Sequence, residues 1–279
     1  MIINSIMEIV SVKNMFFDYF EKKILHDINI SVNEGDIILL IGANGAGKST
    51  LLRVLSGLHM PQKYDTFNVL GTSSPHDQFK GLAYLGNRWQ RNISFCGVSP
   101  YMADIRAGDM MKKWQNENID RRDELVKILD IDLDWKMHQV SDGQRKRVQI
   151  MLGLLKPFKF LIIDEFLNEL DVVIRDRFFK YLTKECRLRN GAIIYATHVF
   201  DDLYYWANKV VYMTDGRCEK CKDIGDFCKR GEDSWRDLYS SVVEVMSEDY
   251  NKKTNSEGID PLKFGPQFGF GSGRSSLIN

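Results

Sequence analysis

Apolar and polar positions along this chain follow two different rhythms. Ile28, Ile30 and Val32 alternate with Asn29 and Ser31, the two-residue period of a strand with one buried face. That pattern predicts a strand over residues 24–32, another ahead of it at Ile9, Val10 and Val12, and a short one at Phe67, Val69 and Leu70. Four further runs are apolar throughout, at residues 37–41, 82–85, 160–163 and 192–196. Such unbroken runs, bounded by turn signals, predict strands covered on both faces. Between them the spacing turns helical: after residue 50, over residues 145–155 ahead of Pro157, and around Arg175, Phe178, Phe179 and Leu182. Strands alternating with helices predict a mainly parallel sheet covered on both faces. Val210 to Met213 followed by Asp215-Gly216 predicts a closing hairpin, and residues 234–246 a terminal helix.

Two stretches differ in texture. Over residues 100–139, charges interleave with Met102, Ile105, Met110, Met111, Trp114, Leu125, Ile128, Leu129 and Leu133 at near-helical spacing. This predicts a helical insert, residues 98–155 with the helix that follows, whose methionines and aromatics belong to the core. Beyond Asp249 the composition shifts to Lys, Asn, Ser and Gly, with Phe264, Phe268 and Phe270 interspersed. Residues 6–248 therefore read as one domain and residues 249–279 as a flexible tail with aromatic anchors.

Composition removes several classes of function. Lys+Arg and Asp+Glu both number 38, so the net charge is zero and long-range attraction to nucleic acid or anionic lipid is absent. Direct nucleic-acid binding is not expected. No apolar run approaches the roughly 20 residues that cross a bilayer, and the N-terminus lacks a signal peptide's basic flank and apolar core. A cytoplasmic protein with no transmembrane segment is expected. Cys96, Cys186, Cys218, Cys221 and Cys228 are odd in number and read as free thiols. The last three lie close together, but no histidine beyond His198 completes a four-ligand zinc set. Arg145-Lys146-Arg147 reads as the solvated face of a helix ahead of a nuclear-import signal, with the nucleus a second compartment.

The chemistry gathers at strand ends. Gly42-Ala43-Asn44-Gly45-Ala46-Gly47-Lys48-Ser49-Thr50 follows one buried run and opens a helix, the context of a P-loop. Its glycines let backbone N–H groups converge on phosphate, and the helix N-terminus adds its positive end. Lys48 reaches the β- and γ-phosphates of a nucleoside triphosphate, and the Ser49 hydroxyl ligates Mg²⁺. Asp164 and Glu165 close a second buried run, suited to holding Mg²⁺ and polarising an attacking water. His198 follows a third. Ligands of parallel sheets sit beyond the carboxyl ends of strands, so Gly42, Asp164 and His198 are expected to be neighbours.

The order of these elements, with Val140-Ser141-Asp142-Gly143-Gln144 and Leu170-Asp171 between them, resembles the ATP-binding cassette (ABC) ATPases over residues 6–230. The resemblance implies an α/β fold: a P-loop NTPase core, an N-terminal antiparallel β-subdomain and an α-helical subdomain. It implies ATP and Mg²⁺ as cofactors and a second cassette, in a homodimer, as partner. Ser141, Gly143 and Gln144 of the signature loop are then brought to the ATP held by the other chain. Asp171 lies at the dimer interface, His198 is the switch histidine and Tyr19 stacks on adenine.

The chain also departs from the family pattern. Asp142 stands for the first glycine of the signature and Val140 for its leucine. Phe166 follows the glutamate where proline is common, Asn168-Glu169 alter the next loop, and no glutamine closes the 82–85 strand. Asn87, followed by Arg88-Trp89-Gln90, takes that place and joins Ser49 and Asp164 as a metal-site residue. These features are similar to the single-cassette, soluble branch of eukaryotes, whose best-known member associates with the Ccr–Not mRNA-regulatory assembly. The implied function is an ATP-driven dimerisation cycle that regulates a protein complex. Alternatives are an ATP-binding subunit of a multi-component transporter, an iron–sulfur assembly ATPase, and a nucleotide-gated scaffold.

Overall fold

Residues 7–20, 22–77, 79–86, 104–200, 203–219, 221–228 and 234–257 are described in the structure, a computed structural model. Strands β1 (Glu8–Tyr19) and β2 (Lys22–Asn33) form a long antiparallel hairpin. β3 (Ile37–Ile41) leads through the glycine loop into α1 (Lys48–Leu55), and β4 (Thr66–Val69) returns to pair antiparallel with β1. After β5 (Leu82–Gly86) come a 3-10 turn at Ala107–Asp109 and helices α2 (Lys112–Glu117), α3 (Ile119–Leu129) and α4 (Asp142–Gly153). Then follow β6 (Phe160–Asp164), α5 (Val172–Leu188), β7 (Ala192–Ala196), α6 (Leu203–Trp206) and β8 (Lys209–Thr214). The described chain closes with β9 (Arg217–Cys218), β10 (Lys222–Asp223), α7 (Ile224–Phe227) and α8 (Ser234–Glu257).

Two sheets result. β2-β1-β4 is wholly antiparallel, while the larger sheet runs β10-β8-β3-β7-β6-β5 with β9 against β8. Its central strands are parallel, and their register pairs Gly86 with Asp164, Asp164 with Ala196, and Ala196 with Leu40. The carboxyl ends of β5, β6, β7 and β3 thus stand in one row. The unbroken apolar runs are explained by two cores. Leu39, Ile41, Leu161, Ile163, Ile193 and Tyr195 face a core shared with α3, α4 and α5. Ile38, Leu40, Phe160, Ile162 and Ile194 face α1 and the antiparallel sheet. Each strand alternates between the two, so neither face tolerates a polar residue.

The helical insert shares the first core, where Leu125, Leu129 and Met137 join the sheet residues. An ion cluster also fastens it. The Arg121 guanidinium pairs with Glu185 of α5 and donates through Nε to the Leu154 carbonyl at 2.6 Å. Arg189 donates to the same carboxylate at 3.0 Å. Burial alone would raise the Glu185 pKa, but the two guanidinium bonds outweigh it and hold the carboxyl below its ordinary range.

Three expectations change. α4 begins at Asp142, three residues early, because Ser141 caps it. α8 runs on to Glu257, through residues assigned to the tail: the first residue that readily ends a helix is Gly258, and Tyr212 donates to Asp249 at 2.6 Å to fix that helix on β8. Arg145, Lys146 and Arg147 are not a solvated face. The Lys146 side chain is only 3% exposed and its Nζ sits 3.9 Å from the Phe166 ring centroid. Arg147 donates to the carbonyls of Leu129 and Asp130 at the end of α3, and Arg145 to that of Val140. Long cationic stems cover apolar surface while their heads satisfy orphan helix carbonyls.

Glu185→Gln should lower the unfolding free energy by about 3 kcal/mol at neutral pH, the usual cost of breaking a buried pair. Because the folded pKa is depressed, the stabilisation is complete above the unfolded value of 4.5 and fades as pH falls below it. Urea unfolding of both forms across pH 3–7 should show the gap closing on the acid side.

Candidate functional site

Where β3 ends, Gly42 adopts φ 151°, and a Cβ there would lie 2.1 Å from the Met213 carbonyl oxygen. Only glycine fits. The loop then rises to the N-terminus of α1, with Ala46 buried beneath it. It bounds a cleft of about 640 Å³ lined by Lys22, Lys23, Ile24 and His26 of β2, and by Asn44, Gly45, Gly47, Lys48, Ser49 and Thr50. Glu165, Asp215 and Gly216 complete the wall. Lys48 Nζ donates to the carbonyls of Gly42 at 2.8 Å and Ala43 at 3.1 Å. Burial lowers its pKa, while the charges of Glu165 and Asp164 pull the other way. Phosphate oxygens entering this cleft would take over those two carbonyl bonds.

Opposite the loop, the Asp164 carboxylate is held at both oxygens. Ser49 Oγ donates to Oδ1 at 2.8 Å and Tyr84 Oη to Oδ2 at 3.0 Å. Glu165 turns the chain sharply: its φ of 51° is left-handed, a conformation that costs a non-glycine residue about 1–2 kcal/mol. Its N–H donates to the Ala196 carbonyl at 2.9 Å, and His198 Nε2 lies 2.7 Å from its Oε1. The turn carrying His198 is fixed by the Thr197 hydroxyl, which accepts from Val199 N–H at 3.0 Å. Gly42, Asp164 and His198 thus meet at one end of the sheet.

A hydroxyl and a carboxylate 2.8 Å apart are hard oxygen donors, the chemistry Mg²⁺ takes when substrate phosphates and water supply its other ligands. Among the described residues no three His, Cys, Asp or Glu side chains group as a metal site. Asn87, expected beside them, lies outside the described residues, as do Arg88, Trp89 and Gln90.

The signature loop is elsewhere. Ser141 caps α4: its Oγ accepts from Gln144 N–H at 3.2 Å, while Gln144 Oε1 accepts from Ser141 N–H at 2.9 Å. Gly143 lines a separate cavity of about 430 Å³ with Asp142, Arg145, Lys146, Gln149 and Glu169. Ser141, Gly143 and Gln144 are all absent from the P-loop cleft lining. Asp142, 86% exposed, pairs with Arg145 at 2.6 Å, which ties the acid to its own helix. Asp171 caps α5 by accepting from Ile174 N–H at 3.0 Å.

Tyr19 is not brought to the cleft. Met15, Phe17 and Tyr19 share the inner face of β1 by strand alternation, and the Tyr19 ring packs edge-on against Phe17 and His59. Its hydroxyl lies 2.8 Å from His59 Nε2, while Phe20 beside it is fully exposed. Sequence reasoning missed Lys22, Lys23, His26 and Asp215 on the cleft wall, and Tyr84 on Asp164. The paired lysines opening a strand ahead of the P-loop were a usable signal; Tyr84 resembled any aromatic in a buried run.

A family profile described as "ABC transporter" matches residues 25–168. "ABC transporter I family member 20" of Arabidopsis thaliana is 46% identical over 203 residues, which is 71% of this chain and 62% of that protein's length. "CCR4-associated factor 16" of Saccharomyces cerevisiae is 36% identical over 226 residues, covering 75% of this chain and 76% of that protein. Among solved structures, an ATP-binding subunit of an ABC transporter superposes with TM-score 0.69 at 20% identity over 84% of this chain and 99% of the other. A dimeric post-hydrolysis state of the cassette MJ0796 bound to ADP and Pi superposes with TM-score 0.61 at 19% identity, over 80% and 99% of the two chains.

Ser141→Ala should cost about 1 kcal/mol of stability, the usual loss of an N-cap. Because the cap is reciprocal, adding Gln144→Ala should cost less than the sum of the two single changes, which urea unfolding of the three variants will show.

Proposed function

The chain belongs to the ABC transporter family, and on that premise we propose that it is an ATP hydrolase that works as a pair of cassettes. One observation carries this reading: the P-loop cleft is lined by Lys48, Ser49 and Glu165, with Asp164 bonded to Ser49 and His198 to Glu165, whereas Asp142 and Gly143 of the signature line a different cavity. Each chain therefore presents half of a site, and a second copy supplies the signature N-terminus to the other half.

In this reading the loop N–H groups and Lys48 bind and orient the triphosphate, with Lys22 and Lys23 adding positive charge at the rim. Ser49 and Asp164 hold Mg²⁺, which when bound neutralises charge on the transferring phosphoryl group. Glu165 accepts a proton from the attacking water, and His198, hydrogen-bonded to it, holds the carboxylate toward the cleft. Asp171 belongs to the surface between cassettes. Tyr19 reaches adenine only if the β1–β2 hairpin turns its ring outward.

A regulatory role within a protein assembly is favoured over transport. It rests on the likeness to the yeast CCR4-associated factor, on the altered residues after β5, and on the finding that no helix of the described residues is long and apolar enough to cross a membrane. The cytoplasm is the proposed location.

Glu165→Gln should reduce ATP hydrolysis by about a hundredfold or more, the usual share of a general base. With ATP and Mg²⁺ it should accumulate as a dimer in light scattering. Lys48→Ala should remain monomeric under the same conditions, and chelating the metal should disperse the Glu165→Gln dimer. A Glu165→Gln chain that stays monomeric at saturating ATP and Mg²⁺ would overturn the paired-cassette reading.

A further inference from the structure

β5 runs parallel to β6 with Gly86 opposite Asp164 and Tyr84 opposite Ile162. Residues 84 and 86 share a face of the sheet, two positions apart. Normally the side chain at 86 would stand between the ring at 84 and the strand end. Here it is glycine, and a Cβ at that position would lie 2.7 Å from both Cε1 and Oη of Tyr84 and 2.8 Å from Cζ. The Tyr84 ring therefore occupies the space that the missing side chain leaves, lies along the strand and delivers its hydroxyl to Asp164 Oδ2.

The two bonds on Asp164 are not equivalent. Ser49 sits on the glycine-loop helix and donates to Oδ1, whereas Tyr84 comes from the neighbouring strand and donates to Oδ2. A metal would take a lone pair of Ser49 Oγ and leave its proton able to donate to Asp164 Oδ1. Tyr84 holds the second oxygen, so the two donors together set the orientation of the carboxylate. The Arg53 guanidinium of α1 lies beside both Tyr84 and Tyr19, close enough to Asp164 for the two charges to interact.

We propose that Tyr84 is a positioning residue: through the space left at Gly86, its hydroxyl fixes Oδ2 of Asp164 so that the carboxylate presents one orientation to the divalent cation of a bound nucleotide. The inference rests on the reading of Asp164 as a metal-binding carboxylate, and the Tyr84–Gly86 pair is its new content. A partner that orients a ligating carboxylate is usually worth about tenfold in metal affinity.

The test is Mn²⁺ binding to the full-length chain with saturating ADP, followed by electron paramagnetic resonance, so that no turnover is required. Tyr84→Phe keeps the ring and removes the donor; it should weaken Mn²⁺ about tenfold, with ADP affinity in the presence of EDTA unchanged. Gly86→Ala keeps the hydroxyl but displaces the ring, and should weaken Mn²⁺ in the same direction. The double variant should be no weaker than the weaker single one, since both act through one bond. Asp164→Asn separates the two levels of the argument. If it weakens Mn²⁺ while Tyr84→Phe matches the unmodified chain, the positioning role is wrong and the metal site stands. If neither changes Mn²⁺ affinity, Asp164 is not a ligand and both readings fall. A lower melting temperature of Tyr84→Phe with unchanged Mn²⁺ affinity also overturns the proposal, because it shows a packing role alone.

Discussion

Register between buried parallel strands is the constraint on which the rest of this structure depends. Gly86, Asp164, Ala196 and Leu40 stand in one row because β5, β6, β7 and β3 pair without offset. A slip of one residue would exchange every side chain between the two cores, and since both are apolar it is the close-packed shape of each that holds the register. Residues distant in sequence are thereby held within hydrogen-bonding distance by backbone alone. Ser49 meets Asp164, and His198 meets Glu165, with no mobile loop needed to bring them together.

The departures from the family pattern are structurally connected. Phe166 is buried under the Lys146 ammonium, and Glu169 pairs with that same ammonium at 3.6 Å. Asn168 accepts from the Tyr195 hydroxyl at 3.3 Å and lies 3.4 Å from that of Thr197. Lys146 belongs to α4, the helix that the signature loop opens. One buried cation therefore joins the signature helix to the segment after Glu165, and Asn168 joins that segment to the turn bearing His198. Burial of Lys146 lowers its pKa, with Glu169 opposing, so this junction depends on the carboxylate remaining in place.

How much of this was legible in the sequence follows from what each residue's neighbours could reveal. The buried strands and the glycine loop announced themselves, because period and motif are local signals. The meeting of Gly42, Asp164 and His198 was legible from the rule that parallel sheets use their carboxyl edge. What stayed hidden depends on contacts between distant segments. Tyr84 reads as a strand filler until Gly86 and Asp164 are seen beside it. Tyr19 reads as a ring ahead of the P-loop until Phe17 and His59 are seen packed against it. Arg145 and Arg147 look solvated until the carbonyls of Val140, Leu129 and Asp130 appear next to them. Composition also misjudged α8, since a polar sequence is still a competent helix when one side is fastened to β8.

That fastening has a mechanical side. Asp249 of α8 grips Tyr212, and the next residue along β8, Met213, presents the carbonyl against which Gly42 is pressed. The terminal helix is thus a handle with a very short shaft: a sideways load on it arrives one residue away from the hinge of the phosphate loop. The terminal helix and the phosphate loop thus bear on adjacent residues of one strand.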